Sequence, residues 1–146
     1  LPFALHLSFF EYILVPVDGS NNSLRGIARA IDIAKPSGAE ITALYVFHLP
    51  LAAGIKYTQK MKDEAQKEAV ESVGSAMKKV QQAGVLFKYQ TGSGNIGKSI
   101  VSKIDKDKFD IVVIGARGMS SSKEMFLGST SHYVIHKAKV PVLIVK

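Results

Sequence analysis

Four groups of residues in this chain have the types and spacing that chemistry requires. Gly115-Ala116-Arg117-Gly118 is followed, after nine residues, by Gly128-Ser129-Thr130-Ser131. Gly115 and Gly118 would let backbone N–H groups approach phosphate oxygens with no side chain in the way. Arg117 adds a cation for a charge-assisted contact. Gly128 allows a turn into a helix whose free N–H groups, partial positive charge and three hydroxyls would face an anion. A second group, Gly92-Ser-Gly-Asn-Ile-Gly-Lys-Ser99, matches the P-loop pattern literally, with Gly92, Gly97, Lys98 and Ser99 at the required spacing, and its first six residues also match G-x-G-x-x-G. Asp18-Gly19-Ser20 forms the third group, and His132 and His136, four residues apart, form the fourth.

One segment cannot be both a P-loop and a dinucleotide fingerprint, so context decides between the two glycine-rich regions. A P-loop normally follows the first strand and needs an Asp at the end of another apolar strand for magnesium. Asp110 instead stands at the start of its apolar run, and only 47 residues remain after Ser99. The dinucleotide reading lacks an acidic residue about twenty positions beyond Gly97. Gly92 to Ser99 is therefore read as a turn feeding a capped helix. Gly115 to Ser131 follows the apolar run Asp110 to Ile114 and is the stronger phosphate site.

The histidine pair has the spacing for a shared metal, but Tyr133-Val-Ile135 between them carries no Glu, and no third ligand is near in sequence; a surface pair is expected, with no metal site. There is no Gly-x-Ser-x-Gly elbow for an esterase and no cysteine for thiol or disulfide chemistry. No catalytic residue is assigned. His48, just after the second strand, lies on the side expected for a ligand, and Ser120 to Ser122 lie in the nine-residue spacer, open to modification or to closing over a ligand.

Among the elements that must support these residues, Tyr12 to Val17 is a continuous apolar run that ends in Asp18-Gly19-Ser20, a turn and helix cap. Leu24, Ile27, Ala28, Ile31 and Ala34 then recur at helical spacing until Pro36-Ser-Gly38. Ile41 to Phe47 predicts a second strand; Met61, Ala65, Ala69, Val73, Ala76 and Val80 mark one face of a long helix closed by Gly84. Val85 to Thr91, Asp110 to Ile114 and Val140 to Val145 predict the remaining strands, with helices at Ile96 to Ile104 and Gly128 to Ala138 between them. Strands apolar on both faces, alternating with helices, require a doubly wound α/β fold with a parallel sheet, in which ligands bind at the carboxyl ends of the strands where the winding reverses.

A chain of 146 residues fits a single domain, and its composition is that of a globular protein. Residues 1–10 are expected to be an extension or tag remnant, and 11–146 the domain. The opening apolar stretch is too short and interrupted to span a bilayer. The absence of cysteine fits a cytoplasmic location. The net charge of +7 favours polyanions in general, yet the lysines are scattered and not interleaved with aromatics, so no specific nucleic-acid partner is expected.

Asp18-Gly-Ser after the first strand, together with Gly-x2-Gly-x9-Gly-Ser from Gly115 to Ser129, resembles the ATP-binding branch of the universal stress proteins, and the likeness runs from Glu11 to Lys146. The resemblance implies a five-stranded sheet of order 3-2-1-4-5. It implies that Asp18 contacts the ribose, that Pro16 and Val17 line that side, and that the backbone of Val46 meets the adenine. Gly115, Ala116, Arg117 and Gly118 would wrap sugar and phosphates, and Gly128, Ser129, Thr130 and Ser131 would hold the phosphate tail. It further implies a stress-response regulator that binds ATP with at most weak hydrolysis, any magnesium being held mainly by the phosphates. Homodimers would form through Val140 to Val145, which would also cover a bare sheet edge. The competing readings are a compact P-loop NTPase using Lys98 and Ser99, and a basic adaptor that binds no nucleotide.

Overall fold

The computed structural model describes residues 10–47, 58–117 and 127–146. His48, Gly118 and Ser120 to Ser122 lie outside the described residues, as do residues 1–9. Five strands, β1 (Tyr12–Pro16), β2 (Glu40–Phe47), β3 (Leu86–Ser93), β4 (Ile111–Gly115) and β5 (Val142–Val145), form one parallel sheet of order β3-β2-β1-β4-β5. Between them run α1 (Asn21–Ser37), α2 (Gln59–Gln82), α3 (Ile96–Lys106) and α4 (Ser129–Lys137). The fold class and strand order are those expected.

Strand side chains alternate between faces, which splits the apolar runs into two cores. Ile13, Val15, Ile41, Ala43 and Val113 pack with Ile27 and Ala30 of α1 and Val73 and Val80 of α2. Leu14, Leu44, Val46, Val112 and Ile114 pack on the other face with Ile100 and Ile104 of α3 and Val134 of α4. Each fully buried Ile, Leu or Val contributes about 1.5–3 kcal/mol. Both faces of β1 and β4 are therefore consumed, and only the carboxyl ends of these strands remain for a ligand. The chain winds outward from β1 through β2 to β3, then crosses to β4 and β5 on the other side, so the reversal lies between β1 and β4.

Local boundaries differ from expectation in two informative places. Pro36 and Ser37 extend α1 instead of stopping it: proline's fixed φ is helical, and although its missing N–H forfeits one backbone bond, Ser37 Oγ donates to the Ile33 carbonyl at 3.1 Å and the Gly38 N–H to that of Ala34; the chain leaves at Gly38, φ +68°. Gly92 and Ser93, expected in a turn, continue β3 opposite Val46 and Phe47 of β2. Only Gly94, φ +98°, and Asn95 then separate strand from helix. Gly94 donates its N–H to the Phe47 carbonyl at 3.0 Å, and the Asn95 side chain caps α3 by accepting from Lys98 N at 2.9 Å.

That geometry removes the P-loop reading of this segment. The backbone needed to wrap a phosphate is already committed to a strand ladder and a helix cap. Its glycines serve packing: a Cβ on Gly92 would lie 2.6 Å from Ser99 Oγ, and one on Gly97 would lie 2.8 Å from the Tyr133 ring of α4. Asp110, the candidate magnesium ligand, sits at the amino end of β4 and accepts from Glu11 N at 2.7 Å and Tyr12 N at 2.8 Å. It ties β4 to the start of β1 at the edge of the sheet opposite the ligand edge.

Gly97→Val should lower stability by about 1–3 kcal/mol in urea denaturation of the nucleotide-free protein, since the added carbons meet Tyr133 at the root of its side chain, where rotation gives no relief.

Candidate functional site

The expected site residues gather at the carboxyl ends of β1, β2 and β4. Val17 carries the pairing of β1 one step further, its N–H reaching the Leu44 carbonyl at 2.9 Å. Asp18 then turns the chain: its Oδ1 accepts from Ser20 N at 2.9 Å, and its own N–H donates to Ser23 Oγ at 3.4 Å. Ser20 caps α1 by accepting from Ser23 N at 3.2 Å, while Ser23 Oγ donates to the Ser20 carbonyl at 3.0 Å. Gly19, φ +83°, is required twice over, by its left-handed backbone and by Ser72 of α2, whose Oγ would lie 2.8 Å from any Cβ there. Asp18 is thus held in a short braced loop between α1 and α2. Pro16, the last residue of β1, is half-buried below it.

Val46 has its side chain in the core against α3 and α4, so only its backbone is available. Pairing of β1 with β2 ends at Pro16 and Leu44, and β2 runs on past it. The Leu44 carbonyl is aimed at β1 and the Phe47 carbonyl at β3, as their partners Val17 and Gly94 show. By the alternation of peptide groups along a strand, the N–H and C=O of Val46 share the direction of Leu44 and point past the end of β1. That peptide group is therefore available to a ligand at this edge.

On the other flank, Ala116 joins both limbs of the glycine motif. Its N–H donates to the Val145 carbonyl at 2.7 Å, and its carbonyl accepts from Gly128 N at 2.7 Å and from Ser131 Oγ at 2.8 Å. Ser131 Oγ also reaches the Gly115 carbonyl at 3.1 Å, and Ser131 is 2% exposed. Two expectations are refined here. Ser131 is a buried brace and does not offer its hydroxyl to an anion; Ser129 is exposed and Thr130 partly so. Gly115 is a glycine because α1 crosses it: a Cβ would lie 2.9 Å from the backbone carbon and oxygen of Asn22. Gly26, one turn further along α1, also faces Gly115, but a Cβ there would lie 3.7 Å from Gly115 N, an ordinary contact.

The start of α4 differs from the other helix starts. Ser20, Thr58 and Asn95 cap α1, α2 and α3 with their side chains, whereas Gly128 has none to give α4. His132 N takes the Gly128 carbonyl at 3.0 Å, leaving the first-turn N–H groups of Ser129, Thr130 and Ser131 without a helical acceptor. An anion is the natural partner for that end. Arg117, partly exposed, follows Ala116 at the mouth and has interactions of its own.

A concavity of about 430 Å³ opens along α4, lined by Leu127, Gly128, Ser129, His132, Tyr133 and His136. It meets the expected cleft only at Gly128 and Ser129 and does not reach Asp18 or Val46. The chemistry-bearing groups therefore define the site better than this hollow does. Tyr45, at the end of β2, lies 3.5 Å from Glu68 Oε2; burial first, then the Glu68 charge and hydrogen bond and the Asp18 charge, raise its pKa above 10.0.

Gly115→Ala should destabilise the protein by about 1–3 kcal/mol even without ligand, because the Asn22 backbone cannot rotate away; thermal melting of the ligand-free variant measures this. The raised Tyr45 pKa favours the neutral phenol in the folded state. Its contribution is therefore complete below pH 10.0 and lost as pH rises through the higher folded value. Tyr45→Phe should show less alkaline destabilisation than the unaltered chain in denaturation curves taken on either side of that pH.

Comparison with known proteins bears on the whole of this architecture. A sequence model of the Universal stress protein family matches residues 10–146. The chain is 31% identical to Universal stress protein YxiE of Bacillus subtilis over 94% of its length and 99% of that protein's. It superposes on a universal stress protein solved in complex with cAMP with a TM-score of 0.72 at 28% identity, covering 94% of this chain and 97% of the other. It also superposes on the Archaeoglobus fulgidus universal stress protein in complex with dAMP, with a TM-score of 0.72 at 26% identity and 94% and 99% coverage. With a family match over nearly its full length and the strand order of that fold, this chain belongs to the universal stress protein family.

Proposed function

We propose that this chain binds ATP at the carboxyl edge between β1 and β4 and acts as a nucleotide-dependent regulatory module in stress response, with at most weak hydrolysis. The observation that carries the reading is the uncapped start of α4, held against the end of β4 by the Ala116 carbonyl and carrying three first-turn N–H groups for a phosphate tail. Val46 supports it by presenting its peptide group beyond β1, and Asp18 by lying in a braced loop at the same edge. Relatives solved with cAMP and dAMP favour an adenine nucleotide. The net charge of +7 draws a polyanion toward the protein.

In this reading Pro16, Val17 and Asp18 line the ribose side, and the backbone of Val46 faces the base. Gly115, Ala116, Arg117 and Gly118 enclose the sugar and phosphates. Gly128 to Ser131 receive the tail, Ser131 through its backbone only. Magnesium accompanies the phosphates; among the described residues no group of three or more His, Cys, Asp or Glu could hold it. Homodimers form through β5, an edge strand on which Leu143 is 38% exposed, and the protein works in the cytoplasm.

Mass spectrometry of the small molecules released when freshly purified protein is denatured should recover ATP. Titration calorimetry should then show ATP binding retained by Lys98→Ala and lost, or weakened at least about tenfold, by Gly128→Val, which blocks the phosphate end. Binding abolished at Lys98 would restore the P-loop reading; full binding by the Gly128 variant would overturn the site. A chain that carries and binds no nucleotide would be an adaptor instead.

A further inference from the structure

The histidine pair on α4, set aside in sequence for want of a third ligand, takes on a different aspect in the folded chain. His132 and His136 are one helical turn apart, their ring centroids 4.5 Å from each other and their planes at 62°. Both are exposed, and both line the concavity along α4. That helix is anchored by Val134 in the core and by Tyr133, which lines the same concavity and packs against Gly97 of α3. The helix that carries the two imidazoles is therefore held against the core, and the rings stand at its exposed surface.

We propose that His132 and His136 form a bidentate site for a borderline divalent transition metal, Cu²⁺, Zn²⁺ or Ni²⁺, with the remaining coordination positions open to the concavity. Two imidazole nitrogens at about 2.0–2.1 Å from one tetrahedral ion lie about 3.4 Å apart, a separation that rings with centroids 4.5 Å apart reach by small χ rotations. Neutral imidazole selects these ions over Mg²⁺ and Ca²⁺, which take oxygen ligands. Two protein ligands without a third give an open, exchangeable site, unlike the closed four-ligand sites of structural zinc. Water, or an oxyanion reaching in from the Ser129 end, completes the coordination. Neither histidine belongs to the proposed ATP contacts, but the concavity shares Gly128 and Ser129 with them, so the metal site is tested on nucleotide-free protein.

The test is a Cu²⁺ and Zn²⁺ titration of tag-free, nucleotide-free protein, followed by calorimetry and by Cu²⁺ electron paramagnetic resonance. One equivalent of Cu²⁺ should bind with the spectral signature of two imidazole nitrogens, and excess Mg²⁺ should not compete. His132→Gln/His136→Gln should lose that signature and weaken binding at least about tenfold, while His6→Gln/His48→Gln should keep both. His132 and His136 are both exposed, so circular dichroism of the variant at these two positions should match the unaltered chain. Equal binding by the α4 variant, loss of the signature in the His6/His48 variant, or no Cu²⁺ binding by the unaltered chain would each overturn the proposal.

Discussion

The carbonyl oxygen of Ala116 accepts two hydrogen bonds from residues that follow it only after a long excursion of the chain, the Gly128 N–H and the Ser131 hydroxyl. The Ala116 N–H is meanwhile committed to β5. A single peptide group thus joins the end of β4, the end of β5 and the beginning of α4. Whatever course the intervening segment takes, its two ends are fixed a hydrogen bond apart. The uncapped helix start is held where the sheet reverses its winding, and the rest of the candidate site is arranged around that fixed point.

The same economy appears on the α1 side. Gly115 lets helix and strand approach until the Asn22 backbone would leave no room for a Cβ, which brings the Asp18 loop and the glycine motif to neighbouring positions on one edge. Ser20, Ser23 and Ser131 spend their hydroxyls on backbone groups, which are costly to leave unpaired when buried. The polar groups left over for a ligand are backbone ones at Val46 and in the first turn of α4, with the Asp18 loop beside them. Such a site fixes position through the fold itself more than through long side chains.

Much of this was legible in the chain. Ile13 to Val17, Ile41 to Phe47 with Thr42 as its one polar residue, and Ile111 to Ile114 are apolar because both of their faces are buried, and that pattern dictates a parallel sheet covered on two sides. The end of β3 was less legible: as an edge strand it is half exposed, and Thr91, Gly92 and Ser93 carry no apolar signal, so register with β2 sets its length. The P-loop match was misleading because glycines needed for close packing against Ser99 and Tyr133 look, in one dimension, like glycines needed for phosphate. Gly115 raises the same difficulty, since its closest neighbour, Asn22 of α1, lies 93 positions earlier in sequence and no local pattern announces its approach. Ser131 could not be separated from Ser129 and Thr130 by type, only by the direction its side chain takes.

The strand order has a mechanical consequence. β1 lies in the middle of the sheet, bonded to β2 on one side and β4 on the other, whereas β5 is a four-residue strand at the edge with one neighbour. Tension applied from the Lys146 side meets a strand that can be peeled away from β4 in succession, and peeling it also frees the Ala116 N–H from Val145. Tension applied ahead of Tyr12 meets a strand that must slide past two neighbours at once. An unfolding machine that grips one end of this chain therefore faces a different resistance from one that grips the other, although both act on the same equilibrium stability.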